Sequence, residues 1–195
     1  MDGWGGERQI GDNLDLIEEK HRQRYEFAKK FCKDKKVLDA ACGCGYGTFM
    51  LAEAAKSVLG LDFSNEATDY AKEHYTSENS NFGFIDLESE FDKGFDEKFE
   101  TIVTFETVEH IDVDVVTTCR RFLNLLENGG LLVVSHPHMQ KPKNKGFHKV
   151  FNINGEDVKK EISDLGHEIV ESLYQPNRKP GGYLYHIFVV RKSGE

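Results

Sequence analysis

Residues 37–48 have the sequence VLDAACGCGYGT, in which a short apolar run leads into three glycines at alternate positions. The apolar run predicts a buried strand over 36–41, and a helical composition returns over 46–56. Glycine lets the backbone turn tightly and lets a ligand approach within contact distance. A strand, a glycine turn and a helix in this order are typical of the first strand-to-helix turn of a doubly wound sheet, where nucleotide-like ligands bind.

The spacing of the glycines separates two kinds of ligand. A dinucleotide loop follows G-x-G-x-x-G and presents its amides to a pyrophosphate, whereas Gly45 and Gly47 are only two residues apart. Asp39 stands just before the loop, where a carboxylate repels a phosphate and attracts an ammonium or a sulfonium. The chain has no Gly-Lys-Ser/Thr sequence, which excludes a phosphate-binding NTPase loop. We expect Gly45→Val to block the loop sterically and to prevent normal ligand binding.

Strand and helix patterns alternate along the rest of the chain. Further strands are predicted over 57–62, 82–85, 100–105, 131–135, 167–174 and 184–191, and helices over 13–31, 66–75, 114–126 and 155–165. Gly129 and Gly130 suit the C-terminal end of the third of these helices. Because a loop joins the last two strands, they form an antiparallel pair. The pattern predicts a doubly wound, seven-stranded, mostly parallel α/β sheet with the last strand antiparallel.

Length and charge limit the function classes. The 195 residues fit a single domain, 1–195, in which we interpret 1–12 as a flexible arm and the helix over 13–31 as a lid. The net charge of −9 disfavours strong binding to nucleic acid or to anionic membrane. No apolar run approaches the roughly 20 residues of a membrane helix. The four cysteines match neither a disulfide framework nor a zinc motif, so we expect a cytoplasmic protein with reduced thiols.

Two acids close the second and third predicted strands. Asp62 stands where an acid accepts hydrogen bonds from both ribose hydroxyls of a bound nucleoside. Asp86 can accept from an adenine amino group, and Phe63 can lie against the adenine face. With Asp39 beside a cationic group, these positions describe a ligand that joins a nucleoside to an amino acid.

Together with the segment FETVEH at 105–110, these features resemble a class I S-adenosylmethionine (SAM)-dependent methyltransferase over residues 20–191. Proteins of this family usually have a glycine at the first position of this loop, where this chain has Ala41. The side chain of alanine restricts the backbone conformations that the turn can adopt. The resemblance implies that the first helix covers the cofactor, with Arg24 or Tyr25 meeting the methionine carboxylate. The other cofactor-binding residues that it implies are Asp39, Ala41, Gly43, Gly45, Gly47, Asp62, Phe63, Asp86, Leu87 and Phe105.

Glu106, Glu109 and His110 form a second candidate cluster. On a helical turn, positions i, i+3 and i+4 share one face, so we expect these side chains to converge beside the methyl donor. Two carboxylates and an imidazole can bind a divalent cation. The fourth ligand has three candidates in the sequence, His148, His136 and His138.

The same segment resembles two methyltransferase groups, the ubiquinone-biosynthesis O-methyltransferases and the small-RNA 2′-O-methyltransferases. In both groups the matching residues bind a divalent metal that holds substrate hydroxyls. The resemblance therefore implies Mg²⁺ or Mn²⁺ at Glu106, Glu109, His110 and His148. Without a metal, His110, His148 and Glu109 would be the catalytic residues, and the two acids would also suit the start of a helix.

Three functions fit this sequence. The first is O-methylation of a small hydroxylated acceptor, which an anionic or sugar-like molecule would suit because Lys141, Lys143, Lys145 and Lys149 form a local basic cluster. The second is RNA 2′-O-methylation, which the net charge opposes. The third is a SAM-binding regulatory protein without turnover. The oligomeric state stays open.

Overall fold

The computed structural model describes residues 9–139, 148–176 and 184–194, except for the side chain of Leu184. Within these ranges the strands are β1 (Lys36–Ala40), β2 (Ser57–Asp62), β3 (Ser80–Phe84), β4 (Phe99–Thr104), β5 (Leu126–His138), β6 (Glu168–Pro176) and β7 (Leu184–Arg191). The α-helices are α1 (Glu19–Cys32), α2 (Tyr46–Ala52), α3 (Asn65–His74), α4 (Val115–Asn124) and α5 (Gly155–Asp164). None of the helices in the described ranges is long and apolar enough for a membrane span.

The described strands form a seven-stranded sheet in the order β3-β2-β1-β4-β5-β7-β6. β2 runs parallel to both β1 and β3, and β4 runs parallel to β5. β7 is antiparallel to its two neighbours, β5 and β6. The prediction of a mostly parallel seven-stranded α/β sheet with an antiparallel last strand is therefore confirmed.

The chain forms two compact units, Met1–Asp86 and Leu87–Glu195. In the first unit, Val37 and Leu38 of β1 are fully buried, as expected for a strand with neighbours on both faces. Helix α3 begins where the side chain of Ser64 accepts a hydrogen bond from the backbone N–H of Ala67. The interpretation of 1–195 as a single domain stays a prediction.

The second unit contains β4 to β7, α4 and α5. Asp114 caps α4 by accepting from the backbone N–H of Thr117, and the helix buries Cys119 and Phe122. Asn154 caps α5 in the same way, by accepting from the backbone N–H of Glu156. These caps determine where each helix begins relative to the strand ends that precede it.

The start of the predicted lid helix over 13–31 is wrong. Asn13 caps a separate 3₁₀ turn, Leu14–Leu16, and the extended backbone of Ile17 interrupts the helix before α1 begins. The predicted arm over 1–12 lies outside the described residues as far as residue 8. Gly11, in its described part, is buried, and its carbonyl accepts a hydrogen bond from the hydroxyl of Tyr75.

The predicted end of the helix over 114–126 is also wrong. Helix α4 stops at Asn124, and β5 already begins at Leu126, which pairs with Phe99. Gly129 has a φ of +78° within an irregular part of β5, where the pairing with β4 shifts its register. Glycine there permits a bulge in a strand instead of ending a helix. The helix predicted over 46–56 is likewise shorter, because α2 ends at Ala52.

Candidate active site

The turn between β1 and α2 has three residues in the left-handed region of backbone conformation. Ala41 has a φ of +63°, Gly43 of +55° and Gly45 of +89°. This conformation costs an L-residue with a Cβ about 1–2 kcal/mol, whereas glycine adopts it freely. Ala41 therefore sits in a strained position, as its replacement of the usual first glycine predicts.

The three loop glycines have different surroundings. A Cβ on Gly47 would lie 2.0 Å from the ring of Tyr25, and a Cβ on Gly45 would lie 2.4 Å from the Cβ of Ala71. A Cβ on Gly43 would meet nothing within 4 Å. Gly45 and Gly47 thus let α3 and α1 pack closely, while Gly43 leaves space that a ligand can fill. A side chain at Gly45 would therefore strike α3, and the loss of ligand binding expected of Gly45→Val stays a prediction.

Asp62 connects the glycine loop to the end of β2. Its carboxylate accepts hydrogen bonds from the backbone N–H of Gly43 and of Ser64, both at 2.9 Å, and the residue is 5 % exposed. A carboxylate has about four lone-pair directions, so a carboxylate can accept from hydroxyls, such as those of a ribose, as well as from backbone N–H groups. The open position of Gly43 beside this acid fits the nucleoside part of SAM.

Asp39 has a different environment from the one that the sequence suggested. It is fully buried, and it accepts hydrogen bonds from the hydroxyls of Tyr25 at 3.2 Å and of Thr48 at 2.7 Å. Burial raises the pKa of Asp39 to about 7, although the two hydrogen bonds oppose that rise. Asp39 therefore joins α1 and α2 to β1, and its contact with a cationic ligand group stays a prediction.

Two exposed aromatic rings follow β2 and end β3. Phe63 is 66 % exposed and Phe84 is 53 % exposed, with ring centroids 5.7 Å apart. Asp86, two residues further on, is half-buried. Phe84 was not predicted as a site residue, although its position two residues before Asp86 is a usable signal. In the second unit, Leu87 and Phe105 are buried, and their contact with a cofactor stays a prediction.

Helix α1 carries both residues predicted to meet the methionine carboxylate, Arg24 and Tyr25, and their contacts differ. Tyr25 donates its hydroxyl to Asp39 and lays its ring over Gly47. Arg24 is 1 % exposed, and its Nη2 lies 2.9 Å from Nδ1 of His21. Because the hydroxyl of Tyr25 is engaged with Asp39, Arg24 is the better candidate for binding an anion.

Glu109, His110 and His148 come together in the second unit. A ligand atom of each lies within 4.8 Å of the others, and the two imidazole rings stand 4.7 Å apart at 87°. The backbone N–H groups of Lys149 and Val150 donate to the carbonyl of Glu109 at 2.7 and 3.0 Å. These two bonds hold His148 beside a residue 39 positions earlier in the chain. Glu109 is 1 % exposed, while both histidines are half-buried.

The prediction that Glu106 shares a helical face with Glu109 and His110 is wrong. The helical turn here is a 3₁₀ turn, Val108–His110, and Glu106 precedes it with a φ of +53°. The backbone N–H of Glu106 donates to the hydroxyl of Ser135 at 3.0 Å. Among the described residues, the group that could hold a metal contains Glu109, His110 and His148, without Glu106.

The two rival histidines have other contacts. Nε2 of His136 lies 3.2 Å from Nδ1 of His186, and Nδ1 of His138 accepts from the backbone N–H of Gly155 at 3.3 Å. Of the three candidates for the distant ligand, His148 is the one that the structure places with Glu109 and His110. An imidazole pair and a carboxylate are a donor set that suits a divalent cation.

Comparison with known proteins supports the methyltransferase-like interpretation of the glycine loop. Residues 37–130 match a family model described as a methyltransferase domain. A probable SAM-dependent methyltransferase of Mycolicibacterium smegmatis is 27 % identical over 124 residues, which are 61 % of this chain and 44 % of the relative. A ubiquinone biosynthesis O-methyltransferase of Glaesserella parasuis is 32 % identical over 108 residues, which are 52 % of this chain and 44 % of that protein. The matches therefore span less than half the length of these relatives.

Solved structures share the fold. The magnesium protoporphyrin IX methyltransferase of Synechocystis PCC 6803, solved with bound S-adenosylhomocysteine (SAH), has a TM-score of 0.71 and 18 % identity. The match covers 96 % of this chain and 90 % of that one. At this identity the likeness shows the Rossmann-like fold alone. Residues 37–130 are therefore similar to a methyltransferase domain, which agrees with the resemblance of this chain to class I SAM-dependent methyltransferases.

Proposed function

We propose that this protein transfers a methyl group from SAM to a hydroxyl of a small acceptor. We infer a hydroxyl acceptor from the group of Glu109, His110 and His148. The ligand atoms of these three residues lie within 4.8 Å of one another. A hydroxyl is a weak nucleophile until a base removes its proton or a cation lowers its pKa. This group offers residues for either route. The name of the Glaesserella relative, an O-methyltransferase, supports oxygen as the atom methylated.

On the donor side, we assign the nucleoside of SAM to the loop and the two strand ends. Gly43 provides the open approach, Asp62 accepts from the ribose hydroxyls, and Asp86 accepts from the adenine amino group. The exposed ring of Phe63 suits an adenine face. SAM carries the methyl group on a positively charged sulfur. The methyl group moves to the acceptor oxygen, the sulfur keeps the electrons of the broken bond, and the rest of the donor leaves as SAH.

On the acceptor side, we assign proton removal to His110 or His148. A neutral imidazole nitrogen accepts a proton near neutral pH, which suits a general base. Glu109 is almost fully buried beside the two rings, and its carboxylate would stabilise the imidazolium that forms. The backbone bonds from Lys149 and Val150 to Glu109 keep this arrangement in place.

A divalent metal is the second way in which the same group would act. Glu109, His110 and His148 would hold Mg²⁺ or Mn²⁺, and the ion would lower the pKa of an acceptor hydroxyl. We leave Glu106 out of this ligand set because it precedes the 3₁₀ turn. A reaction that needs the metal would lose activity in a chelator, whereas a reaction that uses a histidine base would keep it.

The basic cluster that suggested an anionic or sugar-like acceptor has only partial support. Lys141, Lys143 and Lys145 lie outside the described residues. Lys149 is described, and its ammonium pairs with the carboxylate of Glu88. We therefore propose a small hydroxylated acceptor and keep its charge open. RNA is disfavoured by the net charge of −9.

The donor assignment is tested by titrating SAH into the protein in a calorimeter. Asp62→Ala removes the acceptor for the ribose hydroxyls and loosens the loop at Gly43, so we expect at least about a hundredfold weaker binding. Asp69→Ala is a matched control, because Asp69 is an exposed acid of α3 that pairs with Lys72. Equal SAH affinity in the wild type and in Asp62→Ala would contradict the assignment.

The acceptor assignment is tested with isotopically labelled SAM and a fractionated metabolite extract. The expected product is a methyl ether, identified by mass spectrometry and NMR. Activity that is lost in EDTA and restored by Mn²⁺ selects the metal route, whereas full activity in EDTA selects the base. SAH binding without any methylated product would instead support a regulatory protein.

A further inference from the structure

Arg24 and His21 of α1 form a buried pair. Arg24 is 1 % exposed and His21 is 7 % exposed, and Nη2 of Arg24 lies 2.9 Å from Nδ1 of His21. A guanidinium nitrogen only donates, so Nδ1 of His21 accepts and the ring proton is on Nε2. The contact therefore defines both the tautomer of His21 and the direction of one amino group of Arg24.

His21 orients Arg24 without neutralising it. Burial, followed by the charges of Arg24 and Lys20, lowers the pKa of His21 to about 3. The imidazole is therefore uncharged near neutral pH, while the guanidinium keeps its proton. The positive charge of the pair therefore belongs to Arg24, and a buried charge attracts an anion more strongly than one in water does.

Arg24 lies near the start of α2. Burial raises the pKa of Tyr46, the first residue of α2, and the nearby charge of Arg24 opposes that rise. Tyr25, the next residue of α1, covers Gly47 with its ring. Arg24 is thus close to the helix that follows the glycine loop.

We propose that His21 is a positioning residue for the methyl donor, holding the guanidinium of Arg24 in the orientation that binds the carboxylate of the donor's amino-acid part. The proposal rests on the proposed function, because it takes SAM as the ligand. An arginine binds a carboxylate best through two parallel N–H bonds, so the direction of the guanidinium plane matters. His21 would supply that direction from within the same helix.

The test compares two ligands that differ in the amino-acid part. SAH carries the carboxylate, whereas 5′-methylthioadenosine has the same adenosine and sulfur without it. In His21→Leu we expect SAH to bind about tenfold more weakly and 5′-methylthioadenosine to bind as it does to the wild type. In His21→Asn, whose amide oxygen replaces Nδ1, we expect SAH affinity to recover.

A second pair of variants tests whether His21 acts through Arg24. In an Arg24→Met background, changing His21 to Leu should produce no further loss of SAH affinity, because the group to be oriented is gone. Thermal unfolding without ligand identifies variants that have lost their fold, and His21→Asn serves if His21→Leu does not fold.

The outcomes separate this proposal from the proposed function. Equal losses for SAH and 5′-methylthioadenosine in His21→Leu would show a structural role and overturn the proposal. Unchanged SAH affinity in that variant would overturn it as well, while leaving SAM as the ligand. A wild type that binds neither ligand would overturn the proposed function first.

Discussion

Two histidine pairs in the second unit have almost the same ring geometry and different surroundings. The rings of His110 and His148 lie 4.7 Å apart at 87°, and those of His136 and His186 lie 5.2 Å apart at 83°. The first pair is half-buried beside the carboxylate of Glu109, whereas the second is fully buried. Ring geometry alone therefore does not identify a chemical site.

The difference lies in what the ring nitrogens contact. Nδ1 of His186 lies 3.2 Å from Nε2 of His136, and Nε2 of His186 lies 2.8 Å from the hydroxyl of Ser172. Nδ1 of His136 lies 3.3 Å from the carbonyl of Pro137. This chain of bonds engages every nitrogen of the buried pair within the fold. His110 and His148 instead lie near a buried carboxylate, and this set of groups is the one that we propose as a base or a metal site.

The largest expected difference between the pairs is in turnover. His148→Ala removes a base or a metal ligand, so we expect methyl transfer to fall by at least about a hundredfold with SAH affinity unchanged. His186→Phe keeps a ring in the buried pair, and we expect its turnover per folded molecule to stay within about twofold of wild type. Initial rates with labelled SAM and calorimetry with SAH measure both. Similar losses in the two variants would break the distinction.

The second expected difference is in stability, and it runs the opposite way. His186→Ala leaves a cavity and takes hydrogen-bond partners from His136 and Ser172, so we expect a loss of about 3 kcal/mol in the free energy of unfolding. His110→Ala changes a half-buried side chain, and we expect a loss of about 1 kcal/mol or less. Urea unfolding compares them. A larger loss in His110→Ala would show that the half-buried pair supports the fold.

The sequence predicts much of the frame around these pairs. The strands predicted over 57–62 and 184–191 have the same boundaries as β2 and β7 in the structure. Both are short apolar runs bounded by polar residues, which is a local pattern that the sequence shows directly. The prediction that the last two strands pair antiparallel is confirmed. The glycine spacing and the acid at the end of β2 are local signals, and they carry the resemblance to the methyltransferase class with which the family match over residues 37–130 agrees.

Features that depend on tertiary contacts are the ones that the sequence does not predict. The partner of His136 is His186, which lies opposite it only because β5 and β7 pair in a particular register. The packing of Ala71 of α3 against Gly45 is another contact that the sequence does not predict, while the binding role of Gly45 stays a prediction. Glu106 has helical spacing to Glu109 and His110, but its left-handed backbone removes it from their turn.

We also expect the buried pair to make the stability of the fold depend on pH. Burial lowers the pKa of His136 to about 4 and of His186 to about 3. An unfolded histidine titrates near 6.5, so below that pH the unfolded chain binds protons that the folded chain does not, and stability falls as pH falls. Each histidine contributes a slope of up to about 1.4 kcal/mol per pH unit.

This dependence is measurable as a difference between variants. His138, Glu156, Lys159 and Tyr174 also contact or interact electrostatically with His186, and they are unchanged in every variant compared. Asp39 has the opposite sign, because its raised pKa of about 7 makes the folded chain bind a proton that the unfolded chain releases. Urea unfolding of His186→Phe between pH 6.5 and 4 should therefore show a shallower loss of stability than the wild type. A slope equal to that of the wild type would mean that His186 accepts protons as readily in the folded chain as in the unfolded chain, which would contradict the proposed effect of its burial.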